Sequence, residues 1–312
     1  MLPITTNAPL PELQDRETLI RRFLAALDAK PTTKEVYGRA IGYYLEWLEQ
    51  RRETPTRSTI VTYKETLIAR KLSAFSVSLY LVAVRKFYEW AESALICPNI
   101  ARGVKGSKKP RGFAKDCLTV DQARGLVDSL KAMDNLEGLR NFALVNLLLR
   151  TGIREVEAVR ADVGDIRQEG GQAVLWVHGK GRDAKDAFVI LTDAALEAIR
   201  AYLAARGPVR DADPLFVSES DRNKGARLST KTVRNVAKAA LRGIGLNSRR
   251  ITPHSLRHTA VTLALLGGAS LQDAQAMARH ESITTTTIYA HNIERIGNAA
   301  ERNLDAILNK VA

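Results

Sequence analysis

The apolar periodicity of this chain stops between about Pro98 and Gly112, and this break constrains the fold more than any other feature. The run from Arg102 to Arg111 is basic and rich in Gly and Pro, a composition typical of an exposed interdomain linker. A chain of 312 residues is long enough for two domains with separate cores. We therefore predict a flexible N-terminus at 1–14, a helical domain at 15–97, a basic linker at 98–114, a second domain at 115–291 and a C-terminal helix at 292–312.

The first domain repeats apolar residues at helical spacing. One such segment runs from Asp15 to near Pro31 and a second begins at about Thr33, and two more cover 58–69 and 73–92. Each segment has one apolar face, and we assign its Tyr and Trp residues to the core rather than to base stacking. The pattern predicts a small four-helix domain.

The second domain combines helical periodicity with one short β pattern. Gly170 and Gly171 introduce an apolar run at 173–177, and a second run at 187–191 follows a polar turn, which is typical of a hairpin. Helical segments are predicted at 119–130, 137–150, 193–205, 230–243, 253–266, 270–279 and 293–309. The chain is therefore predicted to be mainly α with a small β component.

The charge of the chain indicates a polyanionic partner. The net charge is +13 and the pI is about 9.9, as in many nucleic-acid-binding proteins. The sequence contains no apolar run of membrane-spanning length and begins without a secretion signal, so we expect a cytoplasmic protein. Cys97 and Cys117 are isolated, so we expect neither a disulfide nor a zinc site.

The segment from His254 to Thr259 carries the clearest chemical signal. Thr252 and Pro253 predict a helix N-terminus, so His254 and Arg257, three residues apart, share one helical face. Arg presents a fork of donors to phosphate oxygens, and His can transfer a proton near neutral pH. Such pairs are common on solvated helices, so this interpretation depends on the rest of the chain.

Four further residues give that support. They are Arg154 in Thr-Gly-Ile-Arg, Lys180 in Gly-Lys-Gly, His280 and Tyr289. In order along the chain, Arg, Lys, His-x-x-Arg, His and Tyr resemble the signature of the tyrosine recombinase, or phage integrase, family. The resemblance covers most of the chain. It implies a SAM-like core-binding domain and a mixed α/β catalytic domain that close around duplex DNA as a C-shaped clamp.

The resemblance also implies a role for each residue. Tyr289 would attack a DNA phosphate to form a 3′-phosphotyrosine, and Arg154 and Arg257 would hold the nonbridging oxygens. Lys180 would protonate the leaving 5′-hydroxyl. The remaining catalytic residues are implied to be His254, in proton transfer and phosphate contact, and His280. Cations of this kind take the place of an acidic magnesium-binding cluster, so we expect no metal, ATP or other cofactor.

Several assignments within this motif stay open. Lys185 is the alternative to Lys180 as the general acid. His258 matches a second His of the motif, for which a structural hydrogen bond is favoured over catalysis. Glu157 is expected to support the site. Relatives usually have Leu-Gly-His where this chain has Ala-Arg-His, so Arg279 changes the turn before His280.

The implied function is site-specific recombination of double-stranded DNA at inverted-repeat core sites. A homotetramer on two sites is expected, with the apolar face of the tail helix docked on a neighbouring protomer; packing on its own domain is the alternative. A type IB topoisomerase, a telomere resolvase and a non-cutting DNA-binding regulator are the alternative functions. The sequence does not distinguish integration from excision, inversion or dimer resolution.

Overall fold

The computed structural model describes residues 16–52, 54–108, 116–179, 184–298 and 300–309. The chain divides into two compact units, Met1–Arg111 and Gly112–Ala312. The predicted flexible N-terminus at 1–14 lies outside the described residues.

The described part of the first unit contains four helices, as predicted. They are α1 (Arg16–Ala26), α2 (Pro31–Arg51), α3 (Arg57–Ala69) and α4 (Ala74–Ser93). Side chains of Thr56 and Ser73 cap the N-termini of α3 and α4. Pro31 occupies the first turn of α2, where no backbone N–H is needed. Helix α1 ends at Ala26, a few residues before the predicted end near Pro31, and α2 begins at this proline instead of at about Thr33.

Aromatic side chains fill the core of this unit. Tyr44 and Tyr88 are buried, and their hydroxyls lie 2.8 Å apart in a hydrogen bond. Trp47 is also buried, and Trp90 packs against the same cluster. The assignment of these residues to the core is confirmed.

The segment after α4 begins packed against the same unit. Ala101 and Val104 are buried in the helical core, and the Arg85 guanidinium donates to the Val104 carbonyl at 3.2 Å. Residues 109–114, the last part of the predicted basic linker, lie outside the described residues.

The second unit surrounds one small sheet with helices. Its helices are α5 (Val120–Lys131), α6 (Leu136–Thr151), α7 (Glu155–Arg160), α8 (Asp193–Arg206), α9 (Thr230–Gly243), α10 (Pro253–Leu266), α11 (Leu271–Ala278), α12 (Ile283–Gly297) and α13 (Ala300–Leu308). The strands are β1 (Ile166–Glu169), β2 (Gln172–Val177) and β3 (Ala187–Ile190), antiparallel in the order β1-β2-β3.

The predicted hairpin is β2 and β3, with Val174 opposite Ile190 and Val177 opposite Ala187. The third strand, β1, was missed. Its sequence Ile-Arg-Gln-Glu is polar, and three of its four residues are exposed, so it carries no apolar alternation. Pairing with β2 creates this strand.

Helix α6 lies at the centre of the second core. Apolar residues surround it, and Leu144, Leu147 and Leu148 are buried, as expected for a helix enclosed on all sides. It packs against α8 and α10. The end of α6 thereby comes close to the beginning of α10, which carries His254 and Arg257.

The C-terminal region differs from its prediction. A single helix was expected at 293–309, but α12 begins at Ile283 and α13 follows as a separate helix. The run Thr284–Thr287 is β-branched, and such residues have weak helix propensity. Burial of Thr286 and Tyr289 against the rest of the second unit outweighs this weak propensity. None of the described helices combines the length and apolar composition needed to cross a bilayer.

Candidate active site

Three segments that carry arginine side chains meet at the site: the residues after α6, the first turns of α10 and the end of α11. Gly152 ends α6 at φ +61°, a conformation that favours glycine. A Cβ added there would lie 3.3 Å from the Cβ of Ala260 on α10. Glycine therefore suits both the positive φ of the turn and the close approach of the two helices, and Arg154 follows two residues later.

Arg257 joins these three segments. Its guanidinium is buried and donates to the carbonyl of Gly152 through Nη1 and to that of Ala278 through Nη2. Burial, followed by the charges of Arg154 and Arg279, lowers the pKa of Arg257 to about 10. The group is still cationic at neutral pH, and a guanidinium has more N–H donors than these two hydrogen bonds use.

Glu157 orients Arg154. The carboxylate is fully buried and accepts from the Arg154 Nη1 at 2.9 Å and from the Arg154 backbone N–H at 2.7 Å. Burial alone would raise the pKa of Glu157, but Arg279 and Arg154 hold it below its usual value. Glu157 is therefore ionised, and the Arg154 side chain is partly open to solvent.

Tyr289 contacts His258 directly. The Tyr289 side chain is buried on α12, and its hydroxyl lies 2.5 Å from the His258 Nδ1. Burial raises the pKa of Tyr289 to about 12, although Arg257 acts in the opposite direction. Burial, followed by the charge of His254, lowers the pKa of His258 to about 4. At neutral pH the phenol is thus protonated and the imidazole is neutral.

Two further histidines flank this pair. The His254 ring makes an edge contact with the His258 ring, with centroids 4.7 Å apart, and partial desolvation and the Arg257 charge lower the His254 pKa. The His280 ring stacks on the Tyr289 ring at 6.1 Å. Burial, followed by the charge of Arg257, lowers the His280 pKa to about 4.

The two candidate lysines have different positions. Lys180 lies outside the described residues. Lys185 donates to the carboxylates of Asp162 at 2.7 Å and Asp165 at 2.6 Å. These hydrogen bonds raise the pKa of Lys185 against the effect of its burial. Lys185 is therefore held as an ammonium by two carboxylates that precede β1.

The structure thus brings Arg154, His254, Arg257, His280 and Tyr289 into one site. Two neighbouring residues were not among the predicted catalytic residues. His258 was expected to make a structural hydrogen bond, and it forms a hydrogen bond with the Tyr289 hydroxyl.

Arg279 was considered only as a departure from the usual turn, but its side chain reaches the Glu157 carboxylate at 2.6 Å. The only signal in the sequence was an arginine where relatives usually have glycine.

Comparisons with known proteins cover both units of the chain. The family model described as Phage integrase family matches residues 116–295, and the one described as Phage integrase, N-terminal SAM-like domain matches 20–94. The tyrosine recombinase XerD of Mycobacterium leprae is 34% identical over 229 residues, which cover 70% of each chain. The tyrosine recombinase XerC of Thermodesulfovibrio yellowstonii is 34% identical over 235 residues, 73% of this chain and 71% of the relative.

A solved structure shares the fold. It is the XerH site-specific recombinase bound to a palindromic difH substrate in a post-cleavage complex, with a TM-score of 0.77 at 20% identity over 94% of this chain and 98% of the other. The SAM-like and catalytic domains expected from the sequence are therefore present. Together with the family-model matches, these relatives show that the chain belongs to the phage integrase family of tyrosine recombinases and is a site-specific DNA recombinase.

Proposed function

We propose that Tyr289 is the nucleophile that cleaves DNA in this recombinase. Its oxygen forms a bond to the scissile phosphorus, and the bond from phosphorus to the 5′ oxygen breaks, which gives a 3′-phosphotyrosine. A 5′-hydroxyl from another strand reverses the reaction. The observation that carries this proposal is the 2.5 Å contact between the Tyr289 hydroxyl and the His258 Nδ1, beside the buried Arg257.

His258 accepts the phenolic proton during the attack. An unassisted phenol with a pKa of about 12 is a poor nucleophile at neutral pH, so it needs a base. The imidazole is neutral before DNA binds, and its Nδ1 is already within hydrogen-bond reach. A bound phosphate adds negative charge beside the ring, which raises the imidazole pKa and favours transfer of the proton.

Arg154 and Arg257 bind the nonbridging oxygens of the scissile phosphate. Negative charge grows on these oxygens during the attack, and cations positioned in advance stabilise it. Glu157 orients Arg154, and two backbone carbonyls orient Arg257. His254 and His280 border the same phosphate and complete the catalytic set.

Lys180 protonates the leaving 5′ oxygen. The alternative, Lys185, is already bound to two carboxylates and would have to leave both to reach DNA. This engagement supports Lys180, which lies in Gly-Lys-Gly between the sequences of β2 and β3. The reaction needs neither a metal nor ATP, because the cationic side chains stabilise the charge and the phosphotyrosine conserves the energy of the broken bond.

The partner is double-stranded DNA with inverted-repeat core sites, and the reaction takes place in the cytoplasm. The helical unit serves as the core-binding domain at 15–97 and the second unit as the catalytic domain at 115–291, joined by the basic segment 98–114. The net charge of +13 supports contacts with the phosphate backbone.

A homotetramer on two DNA sites carries out strand exchange. Helix α13 exposes an apolar face on which Leu304, Ile307 and Leu308 are 57%, 69% and 72% exposed. Docking of this face on a neighbouring protomer would bury it. Truncation after His291 should therefore weaken tetramer formation on paired sites more than binding to a single site, measured by native gel or light scattering. Unchanged tetramer formation would contradict this docking.

Nicked duplexes test the nucleophile. They are built from inverted repeats that flank the mobile element of the gene, and cleavage releases a short strand that diffuses away, so the covalent product accumulates. Wild type and Tyr289→Phe are incubated with EDTA, and a protein–DNA band that survives SDS is the readout. We expect a band from wild type alone. A band of equal intensity from Tyr289→Phe would assign the nucleophile to another residue.

A further inference from the structure

We propose that Arg279 is a positioning residue for DNA cleavage. It neutralises the buried Glu157 carboxylate and thereby leaves the charge of Arg154 available to the scissile phosphate. This inference rests on the proposed role of Arg154 as a phosphate-binding residue.

Arg279 combines a backbone conformation that favours glycine with a buried side chain. Arg279 ends α11 in the left-handed region, at φ 53° and ψ 49°. This conformation is unfavourable for a residue with a Cβ, and glycine would adopt it without that cost. The Arg279 side chain nevertheless turns inward and is only 13% exposed. A buried guanidinium requires a charged partner, and the structure supplies Glu157.

The ion pair explains the burial of both groups. Nη2 of Arg279 donates to the Glu157 Oε2 at 2.6 Å, and Nη1 donates to the Met277 carbonyl at 3.0 Å. The Arg154 Nη1 contacts the other oxygen of Glu157, Oε1, at 2.9 Å. One carboxylate therefore lies between two guanidinium groups.

The charges of Arg154, Glu157 and Arg279 determine the net positive charge beside a bound phosphate. If Glu157 were paired with Arg154 alone, its negative charge would offset the charge of that guanidinium. With Arg279 present, the group of three keeps a net charge of one, and Arg257 adds another. Because like and opposite charges interact strongly at a desolvated site, the phosphate meets two uncompensated cations instead of one.

The backbone of the same turn holds both phosphate-binding candidates. The Arg279 carbonyl accepts from the Arg154 Nη2 at 3.4 Å, and the neighbouring Ala278 carbonyl accepts from the Arg257 Nη2. Among the described residues, the Arg279 Nε is buried without a hydrogen-bond partner. The Arg279 side chain therefore fixes a turn on which the orientation of both guanidinium groups depends.

A double-mutant cycle between Arg279 and Glu157 tests the proposal. The readout is the single-turnover rate of cleavage on nicked duplexes at saturating protein, which removes differences in DNA affinity. Arg279→Ala should slow cleavage by about 10- to 100-fold, the scale expected when catalytic groups are misplaced. In the otherwise wild-type protein, Glu157→Gln should lower the cleavage rate. In the Arg279→Ala background, the same substitution should instead raise the cleavage rate at least about tenfold, because it removes the uncompensated negative charge.

This reversal of sign separates charge neutralisation from a purely structural ion pair. If the double variant cleaves no faster than Arg279→Ala, the proposal is overturned. Arg279→Lys, which retains the charge, should cleave faster than Arg279→Ala, and equal rates would also contradict the proposal. With a neutral methylphosphonate at the scissile position, the cleavage rates of wild type and Arg279→Ala should differ by a smaller factor, because less negative charge then needs stabilisation.

Arg52 provides a matched control. It ends α2 at the same φ of 53°, but it is exposed in the first unit. Arg52→Ala should cleave at the wild-type rate. Arg154→Ala separates this inference from the proposed function on which it rests. If Arg154→Ala cleaves normally, the proposed phosphate-binding role fails, whereas a defect in Arg154→Ala combined with a normal Arg279→Ala overturns only the role of Arg279.

Discussion

Replacing His258 with Asn tests the central contact of the site, the hydrogen bond between the His258 Nδ1 and the Tyr289 hydroxyl. The Asn Oδ1 can lie near the position of Nδ1, so the variant retains an acceptor for the phenol. An amide cannot take up the proton, however. His258→Asn therefore removes the proposed base and preserves most of the packing.

The magnitude of the effect follows from the Tyr289 pKa of about 12. At about pH 7, only about 10⁻⁵ of such a phenol is ionised, which sets an upper limit on the assistance that a base can give. General-base catalysis typically contributes about 10²- to 10⁴-fold. We expect His258→Asn to cleave about 10²- to 10⁴-fold more slowly at neutral pH.

The dependence on pH gives the sharper test. Without a base, cleavage requires phenolate that has formed in advance, so the rate of the variant should rise about tenfold for each unit of pH between about 7 and 9. The wild-type rate should change much less over this range. Single-turnover cleavage of nicked duplexes measures both profiles, and thermal unfolding of each protein controls for loss of structure. A variant that cleaves at the wild-type rate, or whose slow rate is independent of pH, would refute the role of His258.

Three further predictions follow from the same geometry. Arg257→Ala should reduce cleavage by at least about 10²-fold, the usual cost of one transition-state donor, and leave site binding largely intact; near wild-type cleavage would remove it from the site. Gly152→Ala should lower the free energy of unfolding in urea by more than Gly170→Ala does, because both have positive φ but only Gly152 has a neighbour near the added Cβ; equal losses would contradict the close approach. His258 and His280 have folded pKa values of about 4, below the unfolded value of about 6.5, so the unfolded chain binds more protons between these values. The contribution of these histidines to the free energy of unfolding should therefore be fully present above about pH 6.5. It should decrease towards about pH 4, by about 1.4 kcal/mol per pH unit for the buried His258. A melting temperature that stays constant over this range would argue against depressed pKa values.

Local patterns predicted most of the helices and the main hairpin. The helices of the first unit carry apolar residues at helical spacing, and Thr56 and Ser73 mark two of their N-termini. These signals lie within a few residues of the helices and helix ends that they predict. Strand β1 and the start of α12 lack such signals, because a polar strand and a β-branched helical turn form only when other parts of the chain pack against them.

The order and type of the site residues were also visible in the sequence. Arg154, the His254 segment and Tyr289 stand in a recognisable motif, and the motif named the family before any geometry was known. Their chemical roles were expectations that came with the resemblance.

The sequence by itself thus determined two domains, a mainly helical fold and the residue types of the site. Only the tertiary structure decided which residues meet. His258 reaches Tyr289 across 31 positions, and Arg279 reaches Glu157 across 122. No local pattern encodes such pairs, because they arise when separate helices pack around a shared core. Burial in that core then raises the Tyr289 pKa, lowers that of His258 and requires a charged partner for Arg279.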